Sequence, residues 1–133
     1  NPLGALLNTH YGALLAPDSW LIIEDVVSEA FDAFGAAGVT AFWRAAREYL
    51  EYLRGYQIPA TFDHRPSMLA DIRKGRPTEI DFINGAIVRL GETHGVKTPV
   101  NLTLVRMIKA LEARSRAGLI KDPAQSASNK IIE

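Results

Sequence analysis

An all-α bundle of about six helices is the fold class this sequence predicts, and three observations predict it. Apolar residues recur at i, i+3, i+4 and i+7 in the long segments, the period of one helix face. Gly, Pro, Thr and Ser stand at the ends of those segments, where helices start and stop. No stretch alternates with the period of two that a half-buried strand requires, and no Asn-Gly turn joins two such stretches. The chain has 133 residues and a mass of 14.6 kDa, enough for one domain that hides roughly two-thirds of its unfolded surface. Its 47% hydrophobic and 23% charged residues exclude wholesale disorder.

The elements follow in order. Asp18 or Ser19, behind Pro17, caps a long helix that runs to Phe34 and carries Val27, Ala30, Phe31 and Phe34 on one face. Gly35 and Gly38 end it, because glycine enters the left-handed region without a Cβ clash. Thr40 caps the next helix, on which Trp43, Ala46, Leu50 and Leu53 fall at helical spacing, and Gly55 stops it. Residues 56–66 form a break, bracketed by Ile58-Pro59 and Arg65-Pro66. A short helix runs from about Pro66 to Lys74, opened by a proline whose missing N–H costs nothing there and closed by Gly75.

After the Arg76-Pro77 turn, Thr78 and Asp81 have the spacing of a capping box, with Asp in place of the usual Glu or Gln. Ile80, Ile83, Ile87 and Leu90 then line one face of a helix that ends at His94-Gly95. Asn84-Gly85 falls inside that helix, where glycine costs about 1 kcal/mol against Ala and so points to a close backbone neighbour. Thr98-Pro99 opens the last long helix, with Leu104, Ile108 and Leu111 on its apolar face as far as about Gly118. The tail from Asp122 is rich in Ser, Ala and Asn and is expected to fray. No internal repeat or low-complexity tract is present, so residues 1–133 read as one helical domain. The start at Asn1-Pro2, without Met, predicts a piece of a longer protein.

Composition removes several function classes. Fifteen Lys plus Arg balance fifteen Asp plus Glu, so the global field of a dedicated nucleic-acid binder is missing. There is no cysteine, hence no disulfide framework, thiolate metal site or Cys nucleophile. No apolar run approaches the ~20 residues of a membrane span, and the N-terminus has no secretory pattern. A soluble, cytoplasmic domain is the expectation, so the sequon Asn101-Leu102-Thr103 carries no weight. His10, His64 and His94 are far apart and form no HxxxH or HExxH pattern, so no metal site is expected. GxSxG, GxGxxG and GxxxxGK[ST] are all absent: the chain has no nucleophile elbow and no glycine loop of its own for phosphates. Arg106, Lys109, Arg114, Arg116 and Lys121 form a local basic face against a single Glu112, which reads first as a solvated helix face.

The candidate chemistry sits at helix tips. Ser67 falls just inside one helix start and Glu79 just inside the next, where exposed N–H groups favour anions. Ser67 offers a substrate carboxylate its hydroxyl and nearby amides. Glu79, held as a carboxylate by the helix dipole, accepts hydrogen bonds from hydroxyl or amide groups. Asn1 and Asn8 add uncharged donors and acceptors. Ser and Glu are also common capping residues, and position alone does not separate the two roles.

Residues Ser67-Met68-Leu69-Ala70-Asp71-Ile72-Arg73, followed by Arg76-Pro77-Thr78-Glu79-Ile80-Asp81-Phe82-Ile83-Asn84-Gly85, resemble the hallmark segment of the ketopantoate reductase family. The opening Asn1-Pro2-Leu3-Gly4-Ala5-Leu6, then His94-Gly95-Val96, Pro99-Val100-Asn101 and the helix from Leu104 to Glu112, extend the resemblance in order over about residues 1–117. It implies the all-helical C-terminal domain of that family, like the C-terminal domain of 6-phosphogluconate dehydrogenase. An N-terminal Rossmann domain, outside this chain, would hold NADP(H), and the active site would lie in the cleft between the domains. The implied reaction is the reduction of 2-dehydropantoate to pantoate, on the route to pantothenate and coenzyme A.

By the same resemblance Asn1 matches the second of two substrate-holding Asn residues, spaced at fours behind a proton-donating Lys. That spacing places all three on one helical face, with the Lys and first Asn upstream of this chain. Ser67 matches the substrate-binding Ser, and Glu79 matches a Glu that contacts the nicotinamide end of the cofactor and supports catalysis. Two positions depart from the pattern of some members: His64 and Tyr11 stand where those members carry Asn. Both put the identity of the 2-oxo acid in question more than the reaction class. The implied partners are the N-terminal domain and a 2-oxo acid substrate; separately, the apolar cleft wall of a domain cut from its partner would suit a second copy of the chain. The competing readings are a stand-alone helical interaction or dimerisation module that has lost the chemistry, and a reductase of another 2-oxo acid.

Overall fold

The computed structural model describes residues 1–120 of the chain. Among them no strand forms, and the predicted all-α class holds. The order is α1 (Pro2–Leu6), a 3-10 turn (Tyr11–Leu15), α2 (Pro17–Ala36) and α3 (Ala46–Tyr52). After α3 come a π-helical turn (Leu53–Gln57), α4 (Ile58–Ala60), α5 (Ser67–Arg73), α6 (Asn84–His94) and α7 (Pro99–Arg116). The tail expected to fray from Asp122, and Lys121 of the basic face, lie outside the described residues.

The core forms where α1, α5 and α7 meet. Met68, Ile80 and Ile108 are fully buried there, with Ala5, Leu69 and Ile72 packed around them. A second layer is built by α2 against α6 and α7. Its polar centre is Asn101, buried at 1% exposure on α7. Glu29 of α2 accepts hydrogen bonds from the Val100 N–H at 2.8 Å, the Asn101 N–H at 2.9 Å and the Asn101 side-chain amide at 2.7 Å. Asn101 also donates to the Val26 carbonyl at 3.1 Å and accepts from Asn84 at 2.9 Å. The first amides of α7 are therefore capped by a carboxylate of another helix, and Asn101 is sealed away from any modification of its sequon.

Most predicted ends are where they were expected. Val39 N–H bonds the Phe34 carbonyl at 2.9 Å while Gly38 takes φ +66, a left-handed close to α2. Gly95, at φ +73, ends α6 in the same way. Three expectations fail. First, neither Asp18 nor Ser19 caps α2; Pro17 opens it with Ala16 as N-cap. Second, α3 starts at Ala46, not after Thr40, because Ala45 is extended (φ −145, ψ 153) and the Arg44 N–H is met by Glu48 at 3.0 Å. Gly55 does not stop this helix, which widens into the π turn around it and continues to Ala60.

Third, the Thr78 capping box does not form. The Thr78 N–H and hydroxyl both donate to buried Glu112 of α7, at 2.8 and 2.6 Å, and Asp81 pairs with Lys109 at 2.6 Å. The chain spends residues 79–83 in a turn, and α6 begins at Asn84. Gly85 accordingly lies at the helix start, where a Cβ would come 3.3 Å from the Ile80 carbonyl, the close backbone neighbour its presence implied.

Candidate functional site

Asn1 and Glu79, 78 positions apart, meet directly: the Asn1 side-chain amide donates to Glu79 Oε1 at 3.1 Å. Both side chains are exposed. The Tyr11 hydroxyl approaches Asn1 Oδ1 at 3.5 Å, a long contact on the other side of the same amide. Glu79 does not sit in a helical first turn as the sequence suggested. It lies in the turn before α6, where its carbonyl accepts from Phe82 N–H at 2.9 Å, so the dipole of α6 does not hold its charge. Its carboxylate is instead fixed by Asn1 and faces solvent.

Tyr11 was visible in the sequence only as a departure from a pattern; the structure puts its hydroxyl beside the Asn1 amide. Burial first, and the Glu79 carboxylate second, raise its phenol above the ordinary value of 10.0. Its backbone is pinned to the other departure, with the Tyr11 N–H bonding the His64 carbonyl at 2.9 Å and the Gly12 N–H bonding the Phe62 carbonyl at 2.9 Å. Gly12 is required at this crossing: a Cβ there would come 2.4 Å from the Phe62 ring.

Ser67 is exposed at the first position of α5, and its hydroxyl makes no cap hydrogen bond. The first N–H of the segment to find a backbone partner is that of Leu69, on the Pro66 carbonyl at 3.1 Å. Pro66 packs on α1 so closely that a Cβ on Gly4 would come 2.7 Å from its ring, one turn along α1 from Asn1. No hydrogen bond among the described residues joins Ser67 to Asn1 or Glu79. Asn8, the other candidate, is occupied structurally. It takes φ +52 to end α1, and its side chain accepts from Arg73 at 2.7 Å.

A groove of about 750 Å³ leads away from Asn1 and Tyr11, between α2 and the α3 arm. Ile22, Val26 and Phe31 form one wall and Trp43, Tyr49 and Leu53 the other. Phe82, three residues beyond Glu79, stands 81% exposed at its rim. Among the described residues no cluster of three His, Asp or Glu offers a metal site, and no helix is long and apolar enough to cross a membrane. On the basic face, Lys109 is held by Asp81 and Arg116 lies 3.8 Å from Glu112.

Comparison with known proteins places these residues in a wider set. A family described as "Ketopantoate reductase PanE/ApbA C terminal" matches residues 1–112. The 2-dehydropantoate 2-reductase of Aquifex aeolicus is 43% identical over 113 residues, covering 84% of this chain and 36% of the relative. That of Vibrio cholerae is 42% identical with the same coverage. The chain thus spans about a third of the length of the curated relatives it matches. Among solved structures, a PanE/ApbA family ketopantoate reductase from Ralstonia eutropha superposes with a TM-score of 0.76 at 26% identity, covering 87% of this chain and 38% of that one. D-mandelate dehydrogenase, solved with NADH and anilino(oxo)acetate, superposes with a TM-score of 0.75 at 29% identity, covering 86% of this chain and 47% of that one.

Proposed function

The chain belongs to the ketopantoate reductase family, as its C-terminal domain, and on that premise we propose that Asn1, Ser67 and Glu79 form the substrate side of a nicotinamide-dependent 2-oxo acid reductase. The observation that carries the reading is the Asn1–Glu79 hydrogen bond of 3.1 Å, which joins two of the three motif residues across the fold. With Oδ1 turned toward Tyr11 and one amide hydrogen on Glu79, Asn1 keeps a second amide hydrogen for a substrate oxygen. Ser67, uncapped and beside free amides, receives the carboxylate. Glu79 has a second oxygen facing solvent, and that acceptor fits a hydroxyl or carboxamide donor of a dinucleotide. A bound NAD(P)H would supply the hydride. The absent glycine loop leaves the grip on its phosphates to the N-terminal domain, and the proton donor also lies outside this chain.

The substrate proposed first is 2-dehydropantoate, and the cofactor NADPH. The test is steady-state kinetics of the intact protein. Asn1→Ala and Ser67→Ala are expected to raise KM at least tenfold, and Glu79→Gln to lower kcat by roughly 10²-fold. The isolated 133-residue chain is expected to oxidise no NADPH. Full activity of the Glu79→Gln protein, or turnover by the isolated chain, would overturn the assignment.

A second reading, reduction of another 2-oxo acid, has its own observation. The two departures, Tyr11 and His64, are joined by a backbone hydrogen bond of 2.9 Å and alter one patch beside Asn1. A panel of 2-oxo acids with branched or aromatic side chains separates the two. The second reading stands if one of them exceeds 2-dehydropantoate in kcat/KM.

A further inference from the structure

The Glu79 carboxylate is exposed, and among the described residues its one side-chain hydrogen bond comes from Asn1. What aims it lies beneath, in the turn at 79–83. Ile80 is fully buried and anchors this turn to the core. Apolar burial has no direction, however, and does not fix the peptide planes on either side of Glu79. Hydrogen bonds do. The Thr78 N–H and hydroxyl both donate to one oxygen of Glu112, at 2.8 and 2.6 Å. A carboxylate only accepts, so the hydroxyl proton points at Glu112 and the oxygen's lone pairs are left for the Ile80 N–H, 3.3 Å away. The residues before and after Glu79 therefore share one hydroxyl, and Glu112 sets its direction. Lys109, three residues before Glu112 on the same face of α7, reaches Asp81 beyond Glu79 at 2.6 Å. That pair is half-exposed and screened by water, so it holds the turn weakly. The charge-assisted bonds to Glu112, which is 6% exposed, are the stronger grip.

We propose that Glu112 is a positioning residue for Glu79: through the Thr78 hydroxyl it presets the turn, so that the Glu79 carboxylate stands at the Asn1 amide before any ligand arrives. Its effect on turnover rests on the reductase reading of Glu79; its effect on the geometry of Thr78, Glu79 and Asn1 does not.

Two measurements on the intact protein test this role. The first is a double-mutant cycle in kcat with 2-dehydropantoate and NADPH. Thr78→Val keeps the shape and the N–H donor and removes the hydroxyl. It is expected to lower kcat about tenfold with KM within about twofold, and Thr78→Ser to restore most of the rate. In a Glu79→Gln background Thr78→Val is expected to lower kcat by less than about twofold, because the carboxylate it aims is already gone. An equal loss in both backgrounds would mean a general loosening of the domain and would refute the positioning role. The second measurement needs no turnover. The tyrosinate absorbance lost in Tyr11→Phe isolates the Tyr11 titration, which the Glu79 carboxylate raises. Thr78→Val is expected to move that titration down, as Glu79→Gln does, and an unmoved titration refutes the role whatever the activity. Full activity of Glu79→Gln beside a shifted titration would overturn the reductase reading and leave the positioning standing. If Thr78→Val does not fold, Glu112→Gln takes its place: it keeps the shape and an acceptor but removes the charge. It is expected to lower kcat about threefold and to move the Tyr11 titration in the same direction, and no change in either refutes the role.

Discussion

The Glu79 carboxylate acts on the Tyr11 phenol across the Asn1 amide, and this influence is testable without substrate. Partial burial and the nearby carboxylate both disfavour the phenolate, so Tyr11 titrates above 10.0 in the folded chain. Stability tied to the neutral phenol is complete below about pH 10 and is lost as pH rises through the raised folded value. The difference in tyrosinate absorbance between the natural chain and its Tyr11→Phe variant isolates this one group. In a Glu79→Gln background the isolated titration is expected to move down toward 10 but not to reach it, because burial remains. An unmoved titration would separate Tyr11 from Glu79 and dissolve the site. At this scale the sequence showed Ser67 well, since a serine behind Pro66 at a helix start is a local feature. It misplaced Glu79, because what decides the turn at 79–83 is the grip of Glu112 on Thr78 from 34 positions away.

The helices were legible where their signals are internal to them. Gly38, Gly95 and Gly118 all adopt the left-handed conformation after α2, α6 and α7, as their positions imply. The start of α7 at Thr98-Pro99 was legible as well, but not its cap, which comes from elsewhere. The N-terminus of α7 has no capping side chain of its own; Glu29 of α2 supplies one, 71 and 72 positions distant from the amides it binds. Glu29→Ala strands two backbone N–H groups and one arm of the Asn101 amide. It is expected to destabilise the domain by about 2 to 3 kcal/mol in denaturant unfolding, with Glu29→Gln recovering roughly half. A loss below ~0.5 kcal/mol would mean that water replaces the carboxylate and that α2 and α7 are held by apolar contact alone.

For the whole molecule, periodicity states that a face is covered without stating by what. The face of Val27, Ala30, Phe31 and Phe34 was read correctly as one side of a helix, yet only Val27 of the four is buried by the described residues. The fold class and an uncovered apolar wall were therefore legible, but not which residues of α2 would form that wall. That open face bears on the choice between the proposed reductase domain and a self-sufficient interaction module. A self-sufficient module would carry its groove and its partner together, so the intact protein and the isolated chain would associate alike. A domain cut from the protein that covers it exposes apolar surface only when that other part is removed, and such surface tends to pair with itself. Sedimentation of the isolated 133-residue chain over a 100-fold concentration range is expected to show reversible self-association. Ala30→Asp should suppress it, and the intact protein should show no association through this face. Ideal monomer behaviour of the isolated chain at millimolar concentration would mean that α3 closes onto α2 in solution, and the groove would then be no interface at all.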